Sequence, residues 1–269
     1  MKNDSNFRTR YGKWAIVAGA SEGLGAEYAR ELASRGLDLV LVARRSDLLQ
    51  SLSAQLSGQY GVQTRTLGMD LSTPDSAERI VQAVNDLEIG LLVYNAAYST
   101  VGPFLYTPIE DHIREINTNV RSPLDLTYRL GQRMVSQGRG GIVLMSSLSS
   151  FQGSAYISAY AATKAFNIVL AEGLWEEWRS RGVDILVCVA GALKTPNYLA
   201  SQPRKTGGLG DMAMEPVQVA LEALNALGKR PYIIPGSANR MVSFVMRHLL
   251  PRKSAVKFMG RILRGMYEK

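Results

Sequence analysis

The sequence predicts an α/β fold built as one doubly wound, parallel, seven-stranded sheet with helices on both faces. Three observations carry that prediction. Apolar runs of strand length alternate with longer stretches of helical period along most of the chain, which is the pattern of repeated βα units. The intervals between the runs are long enough for the crossovers that parallel neighbours require, and right-handed crossovers put helices on both faces. The composition, 46% hydrophobic and 20% charged over 269 residues, supplies a core of that size and excludes a disordered, collagenous or coiled-coil chain.

Taken in order, the strands fall at Trp14–Ala18, Leu37–Ala43, Gln63–Met69, Gly90–Tyr94, Gly141–Ser147, Val183–Val189 and Tyr232–Ile234. Most are continuous apolar runs, as expected of strands buried on both faces. The helical stretches are Gly25–Arg35, Ser46–Tyr60, Pro74–Leu87, Ile109–Gln137, Ile157–Arg181 and Pro216–Leu227. No linker, repeat or low-complexity tract divides the chain. Residues 1–236 therefore read as one domain, with an irregular, glycine- and proline-bearing lid at Leu193–Glu215, and residues 237–269 as a basic, amphipathic, helical extension.

The net charge of +8, with an isoelectric point near 9.6, raises the question of an anionic partner. Its distribution answers part of it. Between Arg240 and Lys269 stand eight basic residues and one acid, whereas the first 239 residues carry 23 basic and 22 acidic side chains. No base-reading or stacking module accompanies the tail, so a nucleic-acid partner is not expected. Met241, Phe244, Val245, His248 and Leu249 recur near helical spacing among the cations, which leaves subunit packing, peripheral contact with an anionic membrane or a merely solvated end. The single cysteine, Cys188, and the two histidines, His112 and His248, leave no disulfide and little for a metal site, so no metal is expected. With no apolar run of spanning length and no signal-like start, the expected location is cytoplasmic.

The first strand runs into Gly19-Ala-Ser21-Glu22-Gly23-Leu24-Gly25 and then a helix. Glycines there let the backbone turn sharply and approach a pyrophosphate, which the helix N-terminus stabilises, as in a Rossmann-type dinucleotide site. The same residues spell the Gly-x-Ser-x-Gly elbow of hydrolases, with Asp184 and His248 following in the expected order. That reading fails on position, because an elbow follows several strands and Ser21 follows one. At the end of the second strand, Arg44-Arg45 without an acid favours the 2′-phosphate of NADP(H) over NAD(H), the alternative. Of the twelve tyrosines, only Tyr160 has a lysine four residues later, Lys164. On a helix the two share a face, and an ammonium near a phenol lowers its pKa toward useful proton transfer. Ser147 ends a strand where open α/β sheets bind ligands.

In order and spacing, Gly19-x-x-x-Gly23-x-Gly25, Asp70-Leu71, Asn95-Ala96-Ala97, Asn119, Ser147, Tyr160-x-x-x-Lys164 and Ala190-Gly191-x-x-x-Thr195 resemble the short-chain dehydrogenase/reductase family over about Tyr11 to Pro235. Tyr11-Gly-Lys-Trp14 and Arg44-Arg45 look most like the branch that holds bacterial 7β-hydroxysteroid dehydrogenases and NADP-dependent ketone reductases. The resemblance implies hydride transfer between a ketone and a secondary alcohol. Tyr160 would be the acid and base, Lys164 would bind the nicotinamide ribose and lower the tyrosine pKa, and Ser147 would bond the substrate oxygen. Asn119 would hold a water leading to Lys164, with Asn117 as the competing choice. Asp70 would contact the adenine, Asn95 would lie beside the cofactor, and Thr195 would bind the carboxamide. Leu71, Ala96, Ala97, Gly191 and Leu193 complete the implied cofactor wall. A homodimer or homotetramer is implied as well, with Trp175 and Trp178 as candidate contacts.

Three departures stand out: Ala18 where threonine is common, Ala97 in place of glycine, and Ala190 in place of proline. Tyr98, Phe104, Tyr156, Tyr198, Leu199, Met212 and Met214 suggest a pocket for a bulky, hydrophobic, steroid-like carbonyl or alcohol substrate. Two other readings stay open: a catalytically silent dinucleotide-binding sensor and, less favoured, the Ser21 hydrolase.

Overall fold

The computed structural model describes residues 5–196, 198 and 213–267. Most of the expected lid at 193–215 lies outside the described residues, Leu199 and Met212 among them.

The sheet has seven parallel strands, β1 (Trp14–Ala18), β2 (Asp38–Ala43), β3 (Thr64–Gly68), β4 (Ile89–Tyr94), β5 (Gly140–Ser147), β6 (Val183–Ala190) and β7 (Tyr232–Ile233), in the order β3-β2-β1-β4-β5-β6-β7. The order turns back between β1 and β4, which pair through Ile16↔Leu92 and Ala18↔Tyr94. Side chains alternate across each strand, and the alternation feeds two cores. Ala15, Val17, Leu39, Leu41, Val93 and Val143 pack on one face, and Ile16, Val40, Val42, Leu92, Ile142 and Leu144 on the other. The first core is closed by α2 (Gly23–Ser34), α3 (Ser46–Tyr60) and α8 (Pro216–Ala226), and the second by α4 (Ser76–Ala83), α6 (Ser122–Gln137) and α7 (Ser158–Trp178).

The seven strands lie where the apolar runs place them, within one or two residues. The expected helix over Ile109–Gln137 is α5 (Ile109–Ile116), a π-helical turn at Asn117–Arg121, and α6. Such wide turns inside helices recur at functional sites. The expected Ile157–Arg181 helix ends at Trp178 in a 3₁₀ turn.

Helix α1 (Ser5–Tyr11) was not expected from the pattern. It is too short to hold by propensity and is fixed by tertiary contacts instead. The buried Tyr11 hydroxyl donates to Asp184 Oδ2 at 2.8 Å, and Arg10 Nε bonds the same oxygen at 2.6 Å. These bonds also dispose of the hydrolase arrangement. Asp184 stands at the start of β6 opposite Gly141, whereas Ser21 lies beyond the C-terminal end of β1, and His248 is exposed.

The C-terminal segment forms α9 (Ser237–Phe244), a π-helical turn at Val245–Leu249 and α10 (Arg252–Tyr267). Met241, Phe244 and Leu249 of the apolar stripe read from the sequence face solvent, while Ser243 and Met246 turn inward. Arg247 stacks over the Phe151 ring at 4.3 Å, and Arg252 Nη1 donates to Phe151 O at 2.6 Å. The segment is thereby attached to the loop after β5. Trp178, expected at a subunit contact, packs over Gly131 of α6. No helix among the described residues is long and apolar enough to cross a membrane.

Candidate active site

The C-terminal ends of the strands open into a cavity of about 850 Å³ that collects most of the residues singled out by the sequence. Gly19, Ser21, Glu22, Gly23, Leu24, Arg44, Arg45, Asp70, Leu71, Asn95, Ala96 and Ala97 line one part of it. Ser147, Tyr160, Lys164, Gly191, Leu193, Thr195, Tyr98 and Tyr198 line the rest. Gly25 and Asn119 lie behind this wall, and Tyr156 borders a small adjoining cavity.

At the first end, the turn after β1 passes so close to β4 that a Cβ on Gly19 would stand 2.7 Å from the Ala96 backbone. A Cβ on Gly25 would meet Gly19 O at 1.9 Å, so the third glycine is what lets α2 start against the sheet. Glu22, at the N-cap of α2, makes no capping bond, which leaves the first-turn N–H groups to an incoming anion. These glycines and the uncapped helix end fit a dinucleotide pyrophosphate. Glu22 instead pairs with Arg45 Nη2 at 2.5 Å, and the same nitrogen donates to Ser21 Oγ at 3.2 Å. The Arg45 fork is thus held across the glycine loop, at the end of β2. Asp70 accepts from Ser72 N and Oγ and pairs with Arg114 at 3.1 Å. Burial works against its charge, but the Ser72 bonds together with Arg114 and Arg44 hold the carboxyl below its ordinary range.

At the other end, α7 sets Tyr160 and Lys164 one turn apart, with the ammonium 5.7 Å from the phenol ring centroid. Lys164 Nζ donates to Met145 O at 3.2 Å, and Ser146 Oγ donates to Lys164 O at 2.7 Å, tying α7 to β5. Burial pushes the Tyr160 phenol up to about 12; a hydrogen bond from Ser147 opposes the rise and the charge of Glu115 adds to it. Desolvation pushes Lys164 down to about 8. The expected lowering of the tyrosine pKa is not seen, since burial holds the phenol above its ordinary range.

Asn119 is fully buried in the π-helical turn. Its amide bonds both backbone groups of Tyr98 and also Thr163 Oγ1, and its carbonyl accepts from Asn167 Nδ2 at 3.2 Å. Asn117 borders a shallow groove beside Asp70 instead. Thr195 packs over Gly23, closing the glycine loop from the opposite side.

Several lining residues that sequence reasoning missed come from the tail. Val242, Met246, Met259, Ile262, Leu263 and Met266 line the same cavity. Their signal was present, since positions 259, 262, 263 and 266 keep the spacing of one helix face, but nothing local says what that face covers.

Residues 13–205 match the short chain dehydrogenase family. A 7beta-hydroxysteroid dehydrogenase of Clostridium sardiniense is 33% identical over 235 residues, 87% of this chain and 90% of that protein. A solved structure described in a study of 7beta-hydroxysteroid dehydrogenase stereoselectivity superposes with a TM-score of 0.88 at 29% identity, over 94% of this chain and 98% of the other. A short-chain dehydrogenase from Sphingobium yanoikuyae in complex with NADPH has a TM-score of 0.76 at 30% identity, over 86% and 91% of the two chains. With the glycine turn, the Tyr160–Lys164 pair and Ser147 gathered at one cavity, the chain belongs to the short-chain dehydrogenase/reductase family, oxidoreductases that act on CH–OH groups.

Proposed function

We propose that the protein is an NADP(H)-dependent oxidoreductase that interconverts a bulky, hydrophobic, steroid-like ketone and its secondary alcohol. One observation carries the proposal: a single cavity joins the glycine loop and Arg44-Arg45 at one end, Ser147, Tyr160 and Lys164 in the middle, and an apolar wall with Met246, Met259, Leu263 and Met266 at the other. Methionine-rich walls accept large apolar shapes. The likeness to hydroxysteroid dehydrogenases supports the substrate class. The assembled Tyr160–Ser147–Lys164 cluster favours an enzyme over a silent sensor.

Bound nicotinamide supplies or accepts the hydride, and the protein contributes position and proton transfer. In reduction Tyr160 gives its proton to the carbonyl oxygen while Ser147 donates a hydrogen bond to that oxygen; in oxidation the phenolate takes the proton back. Lys164 binds the ribose and stabilises the phenolate. Asn119 holds the backbone of Tyr98 and keeps a water path toward Lys164. Gly19, Gly23, Gly25 and the α2 N-terminus hold the pyrophosphate, and Arg44 and Arg45 hold the 2′-phosphate. Asp70 and Leu71 border the adenine, Asn95, Ala96 and Ala97 the sugar side, and Gly191, Leu193 and Thr195 the nicotinamide amide. Tyr98, Tyr156 and Tyr198 belong to the substrate side.

The domain division follows the same reading, residues 1–236 carrying the catalytic fold and 237–269 completing the substrate wall. The buried lone thiol of Cys188 suits a cytoplasmic setting. Self-association into a dimer or tetramer is supported by exposed apolar side chains at Ile113, Ile116, Tyr128 and Val169. Peripheral contact with an anionic bilayer is supported by exposed Met241, Phe244 and Leu249 among the tail cations.

Four measurements test the proposal. Tyr160→Phe lowers NADPH-dependent reduction of bulky ketones by about 10² to 10⁴ while cofactor binding by fluorescence quenching persists; wild-type rates would refute the acid role. Arg44→Ala weakens NADPH relative to NADH by about ten- to a hundred-fold in kcat/KM, the size of a lost charge-assisted bond, and an unaltered ratio would remove the 2′-phosphate assignment. In reduction Tyr160 keeps its proton well past neutrality, so the limit is Lys164, which loses its charge above about pH 8. The kcat/KM profile therefore falls above that pH, and Lys164→Arg, permanently charged, moves the fall to higher pH. Finally, vesicles with and without anionic lipid are sedimented with wild type and with the Met241→Ser, Phe244→Ser, Leu249→Ser triple variant. Loss of lipid-dependent sedimentation in the variant is expected, and equal behaviour removes the bilayer contact.

A further inference from the structure

The stretch from Asn95 to Pro103 carries Tyr98, Ser99 and Val101 to the cavity wall without helix or strand of its own. Its backbone groups must find partners elsewhere, and one face of the α5 region supplies them. Tyr98 N donates to Asn119 Oδ1 at 2.9 Å, and Asn119 Nδ2 donates back to Tyr98 O at 2.7 Å. Two residues on, Thr100 N and Oγ1 both donate to Glu115 Oε1, at 2.6 and 3.1 Å. His112 Nε2 lies 3.2 Å from Phe104 O, and its ring stacks on Phe104 with centroids 4.4 Å apart. His112, Glu115 and Asn119 form one stripe of the helix, and they hold Phe104, Thr100 and Tyr98 in reverse order.

Glu115 is the only carboxylate of the three, and it is 1% exposed. Its Oε2 has no hydrogen-bond partner and stands 3.8 Å from His112 Nδ1, which is buried and unpartnered as well. A carboxylate this deep is costly unless donors offset the loss of water, and here the offset comes from the loop that it fixes. The loop passes the restraint on: Gly102 N donates to Tyr156 O at 2.9 Å. Tyr156 has φ 68°, the left-handed region, and is the single non-glycine residue with positive φ among the described residues. Backbone of that kind persists where its surroundings over-determine it, and Tyr160 follows four residues later.

We propose that Glu115 is a positioning residue of this active site, whose buried carboxylate fixes the Thr100 turn and through it the Tyr98 wall of the cavity and the Tyr156 turn beside it. The groups that face Glu115 are His112 from its own helix, Thr100 from the clamped loop and Tyr156 from the segment before α7. The kinetic half of the proposal rests on the ketone reductase reading, and the structural half does not.

The test uses the full-length protein with NADPH, comparing wild type, Glu115→Gln and Glu115→Ala. By hydrogen–deuterium exchange, Glu115→Ala speeds exchange of the peptide containing Thr100 by about ten-fold or more, the size of a lost bond to a charged acceptor. Glu115→Gln stays near wild type, because its amide oxygen still accepts from Thr100, and the sheet peptides are unchanged in both. Unchanged exchange at Thr100 in Glu115→Ala, or faster exchange spread over the whole sheet, would overturn the positioning role. With a bulky aryl ketone as probe, Glu115→Ala raises KM more than it lowers kcat. With the matching alcohol, Glu115→Gln keeps the wild-type KM, because its amide oxygen still accepts from Thr100, and a KM raised as much in Glu115→Gln as in Glu115→Ala would overturn the role of that acceptor oxygen. If wild type turns over neither probe, the substrate reading fails, and the exchange result still decides the clamp.

Discussion

The site depends on the reversal of strand order between β1 and β4. The chain leaves β1 toward one edge of the sheet and leaves β4 toward the other, so the two connections separate and a crevice opens above the strand ends. Within it, the strands stay stitched together: Asn95 Nδ2 donates to Gly19 O at 3.0 Å, and Asn95 N and Ala96 N donate to Ala18 O. That close approach is why Gly19 cannot carry a side chain and why α2 begins with its free N–H groups over the crevice. Everything placed around the opening follows from it, from the Glu22–Arg45 pair on the β2 side to Ser147 and Tyr160 on the β5 side.

The chemistry at the centre is governed by desolvation. Lys164 is driven toward neutrality and Tyr160 toward the protonated phenol by the same burial. The mutual support of an ammonium and a phenolate must work against that background, so the charges brought by ligand and substrate weigh heavily. Packing has the same economy of position. Asn119, Glu115 and His112 share one helical stripe through their spacing, with Asn119 in the π-helical turn that joins α5 to α6. The basic tail contributes a different element: its cations fasten it to Phe151, and its methionine face completes the apolar side of the cavity.

Much of this is legible in the amino-acid sequence. The strands β1, β2, β4, β5 and β6 are apolar runs buried on both faces, which marks them plainly. The glycine turn, Arg44-Arg45 and Tyr160–Lys164 are set by spacings of a few residues, over which backbone geometry is nearly fixed. The short α1 helix was not legible, because it is held by Tyr11 and Arg10 reaching Asp184 more than 170 residues away. The clamp on the Tyr98–Phe104 loop was also hidden, since a glutamate in a helix reads as a solvated charge until a partner is found for it.

The order of the elements, the sheet they form and the identity of the groups at the strand ends are written in the chain, because these depend on local period and short spacing. Which groups meet is a matter of long-range packing: the tail turns Met246 and Met259 into the cavity while Phe244 faces solvent, Glu22 is drawn to Arg45, and Glu115 lies buried beneath Thr100. An amphipathic pattern says that a helix has an apolar face, and packing between residues distant in the chain settles what that face covers.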